Sequence, residues 1–222
     1  MIKLIFIDID SYNLSKKDIK ILNDLKNYGI NLVFLSKNTF NDIKEKIERI
    51  DNLNDLSLSI CNNGAIIHRS KDGLDLSYEN ISSINIRKIY ENLSNPIFYK
   101  KDGIYGFNEL ENFEDILQIR ISKNDDIEDK EKFYIEEDDE YLYLLNPNRS
   151  RKNSIEEILN FFNIHKKESL FILKDIIDKD IVDKYIQTTS LIEGNKYIKD
   201  HSLYMSDKKN NQIYGILSKI LF

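Results

Sequence analysis

The chain has one cysteine, Cys61, among 222 residues. No intrachain disulfide can form, and one thiolate is too few for a cysteine-based zinc site. The histidines His68, His165 and His201 are scattered without ligand spacing. With 2 prolines and 7 glycines the chain is neither collagen-like nor a low-complexity linker. Ala65 is the only alanine, while isoleucine, asparagine and lysine abound. That bias reads as pressure from an AT-rich genome rather than as function, and it blurs motifs. No apolar run reaches the roughly 18 residues of a membrane span. The mostly apolar segment 1–7 stops at Asp8, too short for the apolar stretch of a signal sequence. A soluble cytoplasmic protein is expected. The charges, 32 basic against 38 acidic, sum to -6 with no basic block. A nucleic-acid partner is therefore not expected.

What is present suffices for a core. Hydrophobic residues make up 41%, including 13 tyrosines and 11 phenylalanines, which excludes wholesale disorder. The length suits one large domain or two small ones. Residues 3–9 (KLIFIDI) form an apolar run of strand length, the pattern of a strand buried on both faces. Ser15 with Asp18 reads as a capping box, Ile19, Leu22 and Leu25 recur at helical spacing, and Gly29 is placed to end the helix. A second run, 31–35 (NLVFL), a helix over 39–50 and a strand over 56–61 follow. Strand, helix, strand, helix, strand is the signature of βαβ units in a parallel sheet.

Between about 66 and 148 the pattern changes to short aromatic strands, such as 97–100, 117–122 and 141–145, with one helix at 84–93. The acidic stretches 124–132 and 136–140 separate them and read as solvated loops. The α/β pattern resumes with a helix at 154–162, the buried strand 169–173 (SLFIL) and a short helix at 178–186. Short strands at 191–193 and 203–205 precede a final amphipathic helix at 212–221. The organisation is an α/β, Rossmann-like parallel-sheet core, residues 1–65 and 149–222, interrupted by an α+β domain, residues 66–148.

Open α/β sheets bind ligands beyond the carboxyl ends of their strands. Asp8 and Asp10 stand there, at the end of the first strand. Two carboxylates so close repel unless a proton or cation lies between them, and a hard ion such as Mg²⁺ suits oxygen ligands. Ser36 follows the second strand, Asp175 follows SLFIL, and Lys152 precedes the helix after the insert. Asp8, Ser36 and Asp175 each lie directly after a buried strand, so they could converge on one edge of the sheet.

In this order the chain resembles the haloacid dehalogenase (HAD) superfamily, in particular its Cof-type and phosphoglycolate phosphatase-like hydrolases. MIKLIFIDID resembles the first motif, a strand ending in Asp-x-Asp, and LVFLS the second, ending here in Ser36. ICNNGAIIH resembles the Asn-Gly-Ala entry to the cap, at Asn62, Asn63, Gly64 and Ala65. SRKNSIEEILNFFNI resembles the third motif, best matched by Lys152, and SLFILKD leads into the fourth, with Asp175. EGNKYIKDHSLYMS resembles the tail that follows. The likeness spans nearly the whole chain.

The resemblance implies hydrolysis of a small phosphomonoester, a sugar phosphate or a phosphoglycolate-like acid. Asp8 would be the nucleophile and Asp10 the acid–base. Ser36, Lys152, Asn63 and Gly64 would contact phosphate or substrate. Mg²⁺ would be held by Asp8, the carbonyl of Asp10 and Asp175, with Asp178 or Asp180 completing the site. The partner would be a small phosphorylated metabolite. The chain departs from the family pattern at several places. Ser11-Tyr12 replaces Gly-Thr in the first motif, Lys37 replaces a Gly in the second, and Lys174 and Lys179 replace Gly and Asp in the fourth. Lys179 is expected to turn outward. The other reading is a catalytically impaired relative that binds a phosphorylated ligand or a protein.

Overall fold

The computed structural model describes residues 1–10, 12–50, 53, 56–206 and 210–221. Strand β1 (Leu4–Asp8) is buried at every position. Helix α1 (Lys16–Asp24) opens on the expected capping box: the Asp18 amide donates to Ser15 Oγ at 3.1 Å, and Asp18 Oδ2 accepts the Ser15 amide at 2.9 Å. Gly29 closes the following turn in the left-handed region, φ 68°. Strand β2 (Asn31–Leu35), helix α2 (Phe40–Glu48) and strand β3 (Leu58–Cys61) complete the first βαβ series. Strands β4 (Ile66–Arg69) and β5 (Asp75–Tyr78) then add antiparallel to the edge beyond β3.

The insert follows. Helix α3 (Ser83–Ile89) packs on a second sheet made of β6 (Ile97–Tyr99), β7 (Ile104–Gly106), β8 (Gln118–Ser122), β9 (Tyr134–Glu137) and β10 (Tyr141–Leu145). Its strand order is β7-β6-β8-β10-β9. The chain returns through α4 (Arg151–Phe161), β11 (Ser169–Leu173), α5 (Lys179–Lys184), β12 (Thr188–Ser190), α6 (Lys196–His201), β13 (Tyr204–Met205) and α7 (Gln212–Ile220). The large sheet runs β13-β12-β11-β1-β2-β3-β4-β5, parallel from β13 to β3. Helices α1, α2 and α7 cover one face; α4, α5 and α6 cover the other. Phe6 stacks on Phe171, centroids 4.6 Å apart, where β1 meets β11.

Three expectations are corrected. Residues 66–78, assigned to the insert, form a hairpin on the large sheet, because Ile66 and Ile67 pair with Cys61 and Ile60 across a tight turn. The strand expected at 191–193 lies at 188–190, where buried β-branched Thr188 and Thr189 suit a pleated strand. The stretch 136–140 is not a solvated loop: Glu136 is 9% and Asp138 4% exposed. The departure expected at Ser11 lies outside the described residues.

Candidate active site

The carboxyl ends of β11, β1 and β2 bring Asp175, Asp8 and Ser36 to one edge. Asp8 is buried; its Oδ1 accepts the Asp10 amide at 3.1 Å. Asp10 is clamped by the turn after β2. Its Oδ1 accepts from the Ser36 hydroxyl and, at 3.2 Å, from Asn38 Nδ2, while its Oδ2 accepts the Lys37 amide at 2.7 Å. From α2, Lys46 Nζ donates to the carbonyls of Ile9 at 2.5 Å and Asp10 at 3.0 Å, and Arg49 Nη2 donates to the Leu14 carbonyl at 3.1 Å. The Tyr12 hydroxyl donates to Asp18 Oδ2 at 2.8 Å and accepts the Gln212 amide at 2.8 Å. The segment after Asp8 is thus pinned by α2 and α7.

The cation that faces these carboxylates is Arg151, not Lys152. Arg151 Nη1 lies 2.7 Å from Asp178 Oδ1 and 3.4 Å from Asp8 Oδ2, and its Nη2 lies 3.7 Å from Asp10 Oδ2. Lys152 points away and meets exposed Asp180 at 3.9 Å, which leaves Lys152 and Asp180 outside the cluster. Helical geometry explains the swap. Arg151 precedes Ile155 by four residues and Ile158 by seven, on the face of α4 that is buried. Lys152 lies about 100° further round. That periodicity was the sequence signal for Arg151.

Lys179 faces outward, its ammonium 5.0 Å from the centre of the Tyr197 ring. Asp178 is the inward acid of this segment. Burial pushes its carboxyl up, and Arg151 opposes that. Burial also holds the Asp8 carboxyl well above the usual carboxylate range; Arg151 pulls it down, and Asp178, Asp10 and Asp175 push it further up. The two acids share a site that one guanidinium does not neutralise. Among the described residues, buried Asp178 Oδ2 has no hydrogen-bond partner.

Asn63 and Gly64 lie against this edge. Asn62, Asn63 and Gly64 take φ of 50°, 52° and 94° in succession. A Cβ on Gly64 would come within 2.2 Å of Ser150 C, so only glycine lets this turn meet the start of α4. The Ser154 hydroxyl caps the Gly64 carbonyl at 2.8 Å. Both polar side-chain atoms of Asn63 are buried, and neither has a hydrogen-bond partner among the described residues.

The insert supplies acids that its sequence did not mark. Asp138 Oδ2 takes Lys37 Nζ at 2.6 Å and the Tyr143 hydroxyl at 2.7 Å; Lys37 also reaches Asp175 at 3.4 Å. Burial opposes the Asp138 charge, but Lys37, Tyr143 and two backbone amides bring its carboxyl down to about 2. Glu136 Oε1 accepts the Arg151 amide at 3.4 Å. Burial pushes Glu136 up to about 8 despite Arg151. A cleft of about 290 Å³ opens between the sheets, lined by Lys37, Asn38, Arg120, Asp138, Tyr141 and Asp175 among others.

A family model described as haloacid dehalogenase-like hydrolase matches residues 6–211. The chain belongs to that family. Among solved structures it is similar to a haloacid dehalogenase-like hydrolase from Bacillus subtilis, with 16% identity over 100% of both chains and a TM-score of 0.83. It is also similar to a haloacid dehalogenase-like hydrolase from Bacteroides thetaiotaomicron, with 14% identity, 99% and 100% coverage and a TM-score of 0.80. A phosphatase of the HAD superfamily from the same organism shares 13% identity over 99% of this chain and 95% of its own, at a TM-score of 0.80. At such identities the likeness shows the fold. No curated protein matches the chain.

Proposed function

We propose that the chain hydrolyses a small phosphomonoester, with Asp8 as nucleophile and Asp10 as acid and base. One observation carries this reading: Asp8 and Asp10 stand at the end of the central strand, bridged by Arg151, with Asp10 held by Ser36 and the Lys37 amide. An Asp8 oxygen attacks phosphorus as the bond to the leaving oxygen breaks, and Asp10 gives that oxygen a proton. Water then attacks the aspartyl-phosphate at phosphorus. Its proton goes to Asp10, phosphate leaves, and Asp8 is regenerated. Arg151 offsets charge on Asp8 and the phosphoryl oxygens.

The oxygen donors fit a hard divalent ion. Asp8 and Asp178 both face Arg151 Nη1 in a buried site, and among the described residues Asp178 Oδ2 has no hydrogen-bond partner. Among the described residues no three acidic, His or Cys side chains converge as a metal cage would. A site here would therefore join Asp8 and Asp175 with the Asp10 carbonyl, beside Asp178, and share that carbonyl with Lys46. Bound Mg²⁺ would supply positive charge that lowers the repulsion between Asp8 and a phosphate.

A second reading, binding of a phosphorylated ligand without turnover, is favoured by Lys37. Its ammonium bridges Asp138 and Asp175 where the family carries glycine. Phosphate release from p-nitrophenyl phosphate in Mg²⁺ buffer separates the two. The wild type should turn over, and Asp8→Asn should lose roughly 10³-fold or more. Binding of the phosphoester with no release by the wild type would establish the second reading instead. Among the described residues no helix is long and apolar enough to cross a membrane.

A further inference from the structure

The side chains of β8 divide by alternation. Ile119 and Ile121 enter the insert's own core with α3. Gln118 and Arg120 take the other face. Gln118 is fully buried there and donates to the Lys37 carbonyl at 3.2 Å, so this is the face that meets the large sheet. Arg120 pairs across the strands with Tyr143 and Ile97 and lines the cleft beside Lys37 and Asp175.

Arg120 is half-buried, and among the described residues no carboxylate pairs with it, although several acids line the same cleft. Its guanidinium lies over the Tyr141 ring at 4.6 Å, which orients the plane and leaves the donor edges open. The acids nearby are spent or peripheral. Asp138 accepts Lys37, the Tyr143 hydroxyl and the amides of Glu140 and Tyr141. Asp175 faces Lys37. Asp139 and Glu140 are exposed at the rim, where they would repel a ligand of high negative charge.

We propose that Arg120 is a specificity-determining residue that binds one carboxylate on the leaving group of the substrate, so that the preferred substrates are phosphorylated hydroxy acids rather than neutral polyol phosphates. This rests on the phosphomonoester reading above. A planar fork of donors matches a carboxylate in two-point contact, and a site built to pair such a group rejects an analogue that lacks it. The cleft, about 290 Å³, suits a ligand of a few carbons. The acidic rim disfavours a second phosphate.

Phosphoglycerate and glycerol phosphate share a skeleton and differ in the carboxylate, so their kcat/KM ratio reads the contact. The wild type should favour phosphoglycerate by about 10-fold or more. Arg120→Gln should bring the ratio close to unity, and Arg120→Lys should fall between; a thermal melt of each variant verifies folding. A wild-type ratio near or below unity, or a ratio unchanged in both variants, overturns the proposal. If the wild type hydrolyses neither ester, the phosphatase reading fails on its own, and calorimetric titration of phosphoglycerate decides the Arg120 contact. Binding weakened about 10-fold or more in Arg120→Gln supports it; equal binding, or none, refutes it.

Discussion

The insert carries two acidic stretches, 124–132 and 136–140, with opposite fates. In the first, Asn124, Asp126, Glu128 and Asp129 are exposed, and the Lys88–Asp129 pair at 3.1 Å lies in solvent. In the second, Glu136 and Asp138 are buried against the large sheet. Composition alone predicts the reverse, since 136–140 is acidic throughout while 124–132 holds two lysines. What differs is the surface opposite: across from 136–138 stand Lys37, whose ammonium pairs with the buried Asp138 carboxylate, and Arg151, whose amide bonds a Glu136 carboxyl that burial pushes up to about 8. A run of acids is solvated unless the fold delivers cations to it.

The comparison is most severely tested by removing the shared cation. Arg151→Met should leave Asp8, Asp10 and Asp178 without their buried counter-charge and destabilise the protein by about 3–5 kcal/mol. Urea denaturation would measure it, and a change under about 1 kcal/mol would mean that the buried acids are balanced some other way.

Glu136 gives a pH test. Its folded carboxyl titrates near about 8, against an ordinary 4.5. Between those values the folded state holds a proton that the unfolded chain has released. Stability should therefore fall as pH rises through this window, with a slope approaching about 1.4 kcal/mol per pH unit from this group. Glu136→Gln should flatten that slope. An identical pH dependence in the variant would place Glu136 in water like its counterparts in 124–132.

The smallest effect belongs to the solvated stretch. Lys88→Ala removes the exposed partner of Asp129 and should change stability by less than about 0.5 kcal/mol. A loss comparable to that of Arg151→Met would erase the distinction between the stretches.

Much of the fold was legible because local rules agreed. The run KLIFIDI, the capping box at Ser15 and the glycine after α1 all point to one βα unit, and that unit forms. Asp8, Asp10, Ser36 and Asp175 were legible as residues at strand ends. Arg151 was missed because two adjacent cations open α4, and only the phase of its buried face separates them. Glu136, Asp138 and Lys46 left no signal of that kind. Their burial depends on which surfaces the insert and α2 meet, a tertiary fact that no local pattern encodes. The hairpin of β4 and β5 was misassigned because two short strands look alike whichever sheet they join.

Asp8 is the proposed acceptor of the phosphoryl group. Quenching the wild type during turnover of a phosphomonoester and reducing it with borohydride would convert an acyl-phosphate at that position to homoserine, which peptide mass analysis locates. Homoserine at position 8, absent without substrate, is the predicted result. Turnover with Asp8 unmodified, or with the modification at Asp10, Asp175 or Asp178, would contradict it.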